Sequence, residues 1–428
     1  MYLDLKKNKL NLELSLKNFN KLYDYIIIGS GPASSTLVNN LIKHKKKILV
    51  LEKGNFEKYF SIDLKSDNLK IKKTSRVFGV GGTSNTWSQV YSLFSKSEMC
   101  NFKNKNVWPL DHKELIYWCK KVGPKYKFDI DKLNSEYIYK KNFYLRKFIE
   151  IKNPLKFSKY FKNRKFDMIF NCEIQTIDNF KNCNKAYFNH NDQIYSVKGK
   201  KLIICNGGIE SNVLILNSLK KGKLRNLKNK KFVGKYFMDH PKCYVGEIKY
   251  PKKNLIEDLK LKYKKNIRTY SGLSLFEKKK RILNTYIRFE EKKSLLYFKK
   301  KLLVKIFLEM EPRFRNKIYL DNNMCKINLL ISNKEIKTSI KLIKEIVNFF
   351  SVKPNLEKLK FDQDDLIDAS HHMGGLSYPK IVDKDLMIKG IPNIFCCSSS
   401  IFPTSGSVNP TLIICALSER LSEHLKKK

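Results

Sequence analysis

Several features are scarce or missing in this sequence of 428 residues, and each absence argues against a class of protein. No run approaches the ~18 apolar residues of a membrane span, and residues 1–20 lack the apolar stretch of a signal peptide. The 10 cysteines form no Cys-x-x-Cys pair and no Cys/His cluster at metal-ligand spacing. We therefore expect a cytoplasmic protein without a metal site, in which the vicinal Cys396 and Cys397 are reduced core thiols.

Acidic residues are few beside basic ones: 40 Asp and Glu stand against 86 Lys and Arg, a formal net charge of +46. An excess of this size is typical of proteins that bind nucleic acid or acidic lipid. The lysines are spread along the whole chain, so we favour a biased coding sequence as the explanation and expect no nucleic-acid partner. Peripheral association of the basic surface with acidic membranes stays open as the functional alternative.

A βαβ unit is predicted near the start of the chain. The apolar runs YIIIG (residues 25–29) and KILVL (residues 47–51) favour buried parallel strands, and residues 33–43 between them favour a helix. A complete unit of this kind, about thirty residues long, is the usual setting of a nucleotide-binding turn.

The turn of this unit, Gly29-Ser30-Gly31-Pro32-Ala33-Ser34, has the form G-x-G-x-x-(G/A/S). The first glycine permits the tight turn, the second lets backbone approach a pyrophosphate, and the small sixth residue allows close helix–strand packing. Glu52 ends the second strand, where an acid accepts hydrogen bonds from ribose hydroxyls and disfavours a 2′-phosphate. The motif predicts a bound dinucleotide other than NADP and does not separate NAD from FAD.

The rest of the chain indicates a discontinuous arrangement. Residues 202–204 (LII) predict a third buried strand, residues 390–400 another strand, and residues 409–425 a long terminal helix. Residues 242–350 differ, because their strands are separated by Lys-rich connections and end in an amphipathic helix over residues 334–350. The nucleotide-binding parts are therefore interrupted by an inserted domain.

Four further segments follow the nucleotide motif in a fixed order. They are Gly79-Val80-Gly81-Gly82-Thr83-Ser84-Asn85-Thr86-Trp87, Cys205-Asn206-Gly207-Gly208-Ile209-Glu210-Ser211, Val233-Gly234-Lys235-Tyr236-Phe237-Met238-Asp239-His240-Pro241, and Ser370-His371-His372-Met373-Gly374-Gly375 with Ser399-Ser400-Ile401-Phe402-Pro403-Thr404-Ser405-Gly406-Ser407-Val408-Asn409-Pro410-Thr411-Leu412. Together the five resemble the glucose–methanol–choline (GMC) oxidoreductase family, whose patterns GGxSxxW, AGGIES, VGRYFMDHP, HHMG and SSVFPTSGxANPTL they follow. The resemblance covers nearly the whole chain.

This resemblance implies an α/β fold (α+β overall). A Rossmann-like FAD-binding domain would consist of residues 1–92, 163–241 and 379–428. A mainly antiparallel-sheet substrate domain would consist of residues 93–162 and 242–378.

The resemblance also implies FAD as the cofactor. Some relatives attach flavin through a histidine in the GGxSxxW loop, where this chain has Thr86, so we expect FAD to be bound non-covalently. The positions expected to contact FAD are Gly29, Gly31, Pro32, Ala33, Ser34, Glu52, Gly81, Gly82, Thr83, Ser84, Asn85, Trp87, Gly207, Ser399, Asn409, Pro410 and Thr411.

Catalytic roles follow from the same resemblance. His371 matches the base that takes the hydroxyl proton, a task suited to a reference pKa of ~6.5. His372 is the alternative base if the shortened loop slips by one residue. Asn409 matches the partner of the substrate oxygen, and N-capping of the terminal helix is its structural alternative. We interpret His240, which precedes a proline in an apparent turn, as structural.

The implied activity is oxidation of a CH–OH group in an alcohol, polyol or sugar, by a dehydrogenase in preference to an oxidase. The substrate and the electron acceptor stay open. After the HHMG motif the family's T-R-M is replaced by Leu376-Ser377-Tyr378, and the substrate domain is short. A flavin-bound lyase and a degenerate binding or scaffold protein are therefore kept as alternatives.

Overall fold

The computed structural model describes residues 1–6, 17–134, 136–140, 143–151, 153–162, 165–190, 192–249, 267–277, 281–292, 301–349 and 361–427. In chain order, their strands are β1 (Tyr2–Asp4), β2 (Leu22–Ile28), β3 (Ile48–Leu51), β4 (Phe60–Ser61), β5 (Lys65–Ser66), β6 (Val77–Phe78), β7 (Val90–Tyr91), β8 (Glu136–Lys140), β9 (Phe143–Ile151), β10 (Asp167–Phe170), β11 (Ile174–Asn179), β12 (Asn184–His190), β13 (Gln193–Ile204), β14 (Lys235–Met238), β15 (Lys242–Lys249), β16 (Ile267–Glu277), β17 (Thr285–Lys292), β18 (Lys301–Leu308), β19 (Lys317–Asp321), β20 (Met324–Asn328), β21 (Met373–Gly375) and β22 (Ile394–Cys396). The helices are α1 (Pro32–Leu41), α2 (His112–Val122), α3 (Gly207–Lys220), α4 (Asn333–Phe349) and α5 (Thr411–Lys426).

The predicted βαβ unit forms the centre of an eight-stranded sheet with the order β1-β10-β3-β2-β13-β12-β11, in which β22 also pairs with β13. Strands β2 and β3 are parallel, and their apolar runs are buried because helices cover the sheet. Helices α1 and α5 pack together, and Asn40 Nδ2 donates hydrogen bonds to Glu419 Oε2 (2.8 Å) and Ser422 Oγ (2.9 Å). The carboxyl ends of β2, β3 and β13 therefore open at one edge of the sheet.

A seven-stranded sheet follows the order β15-β18-β17-β16-β9-β7, with β8 paired to β9. Its neighbouring strands run antiparallel throughout the described registers. A five-stranded sheet, β21-β14-β19-β20-β5, joins the segment after the paired histidines to the segment before His240. Mixed helices and several sheets confirm the expected fold class.

Some element boundaries differ from the sequence predictions. Helix α1 ends at Leu41 and continues as a 3-10 turn over Ile42–His44. Only Ile394–Cys396 form a strand within the predicted 390–400, because that strand pairs with just three residues of β13. Helix α5 begins at Thr411, so Asn409 is not its N-cap; Pro410 occupies that position. Residue 350 of the predicted amphipathic helix lies outside the described residues.

Burial agrees with the interpretation of the vicinal cysteines. Cys396 and Cys397 are both free thiols with no exposed surface. Burial raises the pKa of Cys396 to about 11 and that of Cys397 to about 12. None of the described helices has the length and apolar character required to cross a bilayer.

Candidate active site

A cavity of about 460 Å³ opens at the carboxyl ends of β2, β3 and β13 and extends to the face of the seven-stranded sheet. Its wall includes the Gly-rich turn after β2, the start of α3, the paired histidines and the start of α5. Segments separated by more than three hundred residues of sequence therefore line the same cavity.

The glycine turn leaves room for a ligand along its backbone. Gly29 has φ +92°, and a Cβ there would lie 2.8 Å from Asn206 Cα and from Cys205 O, so only glycine fits against β13. A Cβ on Gly31 would meet nothing within 4 Å, whereas one on Gly82 would lie 3.2 Å from Gly31 Cα. The second glycine therefore presents bare backbone to open space.

Three helices begin at this cavity, and none has a side-chain cap among the described residues. Their N-cap residues are Gly31 for α1, Asn206 for α3 and Pro410 for α5. The helices that begin elsewhere are capped: Asp111 accepts from the Glu114 N–H, and Ser332 Oγ accepts from the Glu335 N–H. The three positive helix ends therefore stay available to negative groups of a ligand.

The Glu52 carboxylate accepts hydrogen bonds from the Gly-rich turn after β2 and from the segment after β3. Its Oε2 accepts hydrogen bonds from the Ser30 N–H (3.0 Å) and Ser30 Oγ (2.6 Å), and its Oε1 accepts from the Gly54 N–H (2.8 Å). Burial raises the pKa of this carboxyl, although these hydrogen bonds oppose the rise. The side chain also lines the cavity, so contact with a ribose stays a prediction for it.

A chain of side-chain contacts crosses the opposite end of the cavity. Asn409 Nδ2 lies 2.8 Å from His371 Nε2, and His371 Nδ1 lies 3.0 Å from His240 Nδ1. His240 Nε2 lies 2.9 Å from Gly406 O and 3.3 Å from Ser405 O. Three motifs far apart in the sequence are therefore joined by one line of polar atoms.

The order of donors in this chain follows from its last member. A backbone carbonyl only accepts, so His240 Nε2 carries the proton and, in a neutral ring, His240 Nδ1 is an acceptor. His371 Nδ1 must then donate to His240, which leaves His371 Nε2 without a proton, so that it accepts from the Asn409 amide. The chain thus places a lone pair of His371 beside a carboxamide at the cavity wall.

Burial is the main reason why these two rings are neutral. Burial, followed by the charges of His240 and Lys242, holds the pKa of His371 well below its ordinary value. Burial also lowers the pKa of His240, which Asp239 opposes only in part. A neutral His371 is the form that accepts a proton.

His372 lies in a different environment. Its Nε2 is 3.5 Å from Asp368 Oδ2, and its ring stacks on Phe237 at a centroid distance of 5.9 Å. Burial depresses its pKa, but attraction to Asp368 and Asp239 outweighs burial, so the pKa is raised. The same contact helps to hold the pKa of Asp368 below its usual range.

The two acids beside His372 also fix the loop. Asp239 accepts from the Ala369 N–H (2.9 Å) and the His371 N–H (2.8 Å), while Asp368 accepts from the Lys72 N–H (2.8 Å). Carboxylate oxygens of both acids and a ring nitrogen of His372 lie within 4.8 Å of one another, a grouping of possible metal-ligand atoms that the sequence did not predict. Because both carboxylates already accept backbone hydrogen bonds, we interpret them as supports of the loop.

The structure brings most of the predicted site residues to the cavity. Those lining it are Gly29, Gly31, Pro32, Ala33, Glu52, Gly82, Thr83, Ser84, Trp87, Gly207, His371, His372, Ser399, Asn409, Pro410 and Thr411.

Three predicted cofactor contacts lie away from the cavity wall. Ser34 is fully buried inside α1, Gly81 faces Ser158, and Asn85 Nδ2 donates to Val80 O (3.0 Å). These three residues are not among those that line the cavity, and their direct contact with a cofactor stays a prediction.

Some cavity residues gave no usable signal in the sequence. Lys72, Lys242, Arg288 and Lys305 line the end near His371. Against a background of 86 basic residues no single lysine stands out. His240 was predicted to be structural, yet its ring contacts His371.

Known proteins resemble this chain in sequence and in fold. Residues 312–418 match the family model described as GMC oxidoreductase. An uncharacterized protein of Methanocaldococcus jannaschii is 28% identical over 422 residues, covering 93% of this chain and 98% of that protein.

Three solved structures share the fold across 95% of this chain. They are pyridoxine 4-oxidase from Mesorbium loti (TM-score 0.63, 13% identity, 99% of that chain), formate oxidase from Aspergillus oryzae RIB40, studied for FAD modification (0.65, 12%, 98%), and a fungal aryl-alcohol oxidase (0.67, 10%, 99%).

Proposed function

We propose that this chain is a FAD-dependent enzyme that oxidises the CH–OH group of an alcohol, polyol or sugar. The match of residues 312–418 to the GMC oxidoreductase model and the shared fold support the proposal. One observation carries the proposal. The bare Nε2 of His371, beside Asn409, lines the same cavity as the glycine turn after β2.

FAD fits the residues of the cavity. The open backbone at Gly31 and the uncapped starts of α1 and α3 suit a diphosphate, and the uncapped start of α5 suits the flavin pyrimidine edge. Thr86 lines the cavity where some relatives carry an attachment histidine, which supports non-covalent binding. When bound, FAD supplies the acceptor for a hydride and its two electrons.

His371 is the base of the proposed reaction. Its Nε2 takes the hydroxyl proton of the substrate while the carbinol carbon gives up its hydrogen as hydride, so that the C–OH becomes C=O. His240 acts through His371. Its Nδ1 accepts a hydrogen bond from the His371 Nδ1–H group and so keeps the ring proton off His371 Nε2, which makes His240 a positioning residue. His372 is less suited as the base because its Nε2 faces Asp368 Oδ2 at 3.5 Å, a contact that raises the pKa of the ring.

Asn409 is the second polar group at the reacting carbon. Its Nδ2 donates to His371, and its Oδ1 is buried without a partner among the described residues. A buried acceptor without a partner is costly unless a ligand satisfies it. A ligand donor other than the reacting hydroxyl would satisfy Oδ1. The Asn409 Nδ2–H group, on moving from His371 Nε2 to the substrate oxygen, would leave that nitrogen free to take the hydroxyl proton.

The electron acceptor decides between two versions of this function. We propose a dehydrogenase, whereas the three structural neighbours are oxidases, which favours oxygen as the second candidate. Following turnover with a dye acceptor under nitrogen, and with oxygen alone, separates the two. A rate that persists with oxygen alone would identify an oxidase.

The basic test is purification followed by anaerobic reduction. We expect a yellow protein whose flavin absorbance bleaches with an alcohol, polyol or sugar from a screening panel. His371→Gln should slow bleaching by about 10²-fold or more, and His372→Gln by less. A colourless protein that FAD cannot reconstitute would overturn the proposal. If FAD binds but no panel member reduces it, and His371→Gln leaves FAD binding unchanged, a lyase or scaffold would be favoured.

A further inference from the structure

Asn206 lies between the end of β13 and the start of α3, directly beside the Gly-rich turn after β2. A Cβ on Gly29 would lie 2.8 Å from Asn206 Cα, so the two backbones are in contact. On the other side, a Cβ on Gly207 would meet nothing within 4 Å, and Asn206 itself lines the cavity. This asparagine therefore lies at the end of the cavity whose backbone suits a diphosphate.

The carbonyl oxygen of the Asn206 side chain is already hydrogen-bonded. Ser211 Oγ donates to Asn206 Oδ1 (2.9 Å). Ser211 lies on α3 and has no exposed surface, so this contact is on the protein side of the site. The orientation of the Asn206 carboxamide is therefore fixed by a buried hydroxyl group.

A buried chain of hydroxyl groups agrees with this orientation. Ser211 Oγ lies 3.1 Å from Ser398 Oγ, which lies 2.7 Å from Ser400 Oγ. Ser400 Oγ in turn lies 3.3 Å from Cys396 Sγ, a thiol that stays protonated at neutral pH because burial raises its pKa to about 11. Starting from the thiol proton, each group can donate to the next one. The last hydroxyl, that of Ser211, then has a proton to donate, and Asn206 Oδ1 accepts it.

The amide nitrogen of Asn206 keeps its donor hydrogens for a ligand. In the part of the chain that the structure describes, Asn206 Nδ2 makes no hydrogen bond, and the side chain does not cap α3. Nδ2 and Oδ1 branch from the same carbon, so Nδ2 is directed away from Ser211. Since Asn206 lines the cavity, its N–H groups are available to an acceptor there.

The phosphate oxygens of FAD are the acceptors that suit this donor. An amide N–H group binds only acceptor atoms, and hydrogen bonds to charged oxygens are the strongest ones. The starts of α1 and α3 have no side-chain cap, so they favour a negative group at the same end of the cavity. The AGGIES pattern has alanine at this position, so the side-chain donor is a departure of this chain from the pattern.

We propose that Asn206 Nδ2 donates a hydrogen bond to a diphosphate oxygen of FAD, and that Ser211 orients the carboxamide for this contact. Asn206 is then a cofactor-binding residue that the sequence motifs did not predict, and Ser211 is a positioning residue behind it. This inference rests on the proposed function for the identity of the cofactor, and on the contacts of Asn206 for the binding role.

Release of FAD tests the contact without any turnover. The holoenzyme is diluted to nanomolar concentration, and the fluorescence of the released flavin gives the Kd for FAD. We expect Asn206→Ala to raise this Kd about tenfold, because a hydrogen bond to a charged oxygen is lost. Asn226→Ala, at an exposed position outside the cavity wall, is the matched control and should leave the Kd unchanged. An unchanged Kd in Asn206→Ala would overturn the inference and leave the proposed function intact.

Asn206→Asp tells whether the bound group is a phosphate or a hydroxyl. Aspartate keeps an acceptor for Ser211 and replaces the donor by a second oxygen, which repels a diphosphate but accepts from a hydroxyl of the ribose or ribityl segment. We therefore expect Asn206→Asp to bind FAD more weakly than Asn206→Ala. Binding as tight as in wild type would overturn the inference, because the group beside residue 206 would then be a hydroxyl donor.

Binding of ADP separates this inference from the proposed function. ADP carries a diphosphate without the flavin, and calorimetry on the full chain freed of FAD measures its affinity. We expect Asn206→Ala to weaken ADP binding about as much as FAD binding. If this loss is seen in a chain that FAD cannot reconstitute, the proposed function fails while Asn206 still binds a diphosphate. If Asn206→Ala leaves ADP affinity unchanged, the inference fails.

A double-variant cycle tests whether Ser211 acts through Asn206. Ser211→Ala should raise the Kd for FAD about threefold in the wild-type background, because the carboxamide can then rotate, and should have no effect in the Asn206→Ala background. Unfolding temperatures of the FAD-free proteins verify that each variant is folded. Equal losses in both backgrounds would mean that Ser211 has a structural role alone, and would overturn its assignment as a positioning residue.

Discussion

His240 determines which nitrogen of His371 is free. We predict that His240→Ala lowers kcat about 10- to 100-fold, because His371 Nδ1 loses its acceptor and the ring can rotate or change tautomer. His240→Gln should recover part of the rate, since a carboxamide can both donate to Gly406 O and accept from His371. FAD affinity, measured by fluorescence, should not change. Equal losses in both variants would contradict the tautomer argument.

The two neutral histidines should make the protein sensitive to acid. Their pKa values are lower in the folded chain than the unfolded value of ~6.5, so below that pH the unfolded state binds more protons and folding weakens. His372 affects stability in the opposite direction. Its raised pKa stabilises the folded protein below ~6.5, and this stabilisation is lost as pH rises through the pKa of the folded state.

We predict that His371→Gln reduces the acid loss of stability by up to about 1.4 kcal/mol per pH unit below ~6.5. Urea unfolding of both proteins at several pH values measures the difference. Parallel curves would show that His371 is protonated in the folded state.

Motif matching predicted His371 and Asn409 as site residues, but it did not predict the contact of His240 with His371. Motif positions report which residues a family keeps, whereas a ring contact across 131 residues depends on how β14 and the loop after Asp368 meet. The same limit applies to Lys242 and Lys305, which become neighbours only through the register of β15, β18 and β17. Local sequence does not encode such long-range pairings.

At the level of elements, a buried ion pair positions the segment before Asn409. Arg146 on β9 pairs with Glu98 (2.7 Å), and Glu98 Oε1 accepts from the Ser407 N–H (2.9 Å) and Ser407 Oγ (2.6 Å). Burial raises the pKa of Glu98, but Arg146 and these hydrogen bonds outweigh it and bring the pKa to about 2. This link holds the 405–409 segment against the substrate-side sheet.

We predict that Glu98→Gln lowers the free energy of unfolding by about 1.5–3 kcal/mol, because a neutral amide loses the charge-assisted hydrogen bonds to Arg146 and Ser407. The stabilisation by the ionised Glu98 is present above ~4.3, the pKa of a glutamate in the unfolded chain, and is lost as pH falls toward 2. Chemical denaturation at neutral pH measures the loss. The double variant Glu98→Gln/Arg146→Met is the control and should recover part of the stability; no recovery would assign the loss to Ser407 instead.

Elements with local signals could be predicted, and elements formed by remote pairing could not. The strand–turn–helix at β2 and α1 follows from an apolar run, two glycines and a proline at the helix start. Strand β21 has no such signal: it is three residues long, and Gly374 and Gly375 have φ values of +82° and +92°. It exists because β14 pairs with it.

Over the whole molecule, the charge of +46 has two separate consequences. Among the described residues most basic side chains are exposed and repel one another through solvent, an interaction that salt screens over about 10 Å at 0.1 M. Lys242, near His371, is partly buried, so salt screens its charge less. Surface charge and cavity charge can therefore be distinguished by ionic strength.

We predict that raising NaCl to about 0.5 M increases the unfolding temperature of the holoenzyme by a few degrees, because screening relieves the repulsion among exposed lysines. Sodium sulfate would confound the test, since sulfate strengthens apolar burial and could occupy the cavity, so chloride is used and an equimolar neutral osmolyte is the control. Thermal unfolding at several chloride concentrations measures the effect. A decrease in unfolding temperature with salt would mean that attractive ion pairs, such as Arg281–Glu309 and Arg146–Glu98, outweigh the net repulsion.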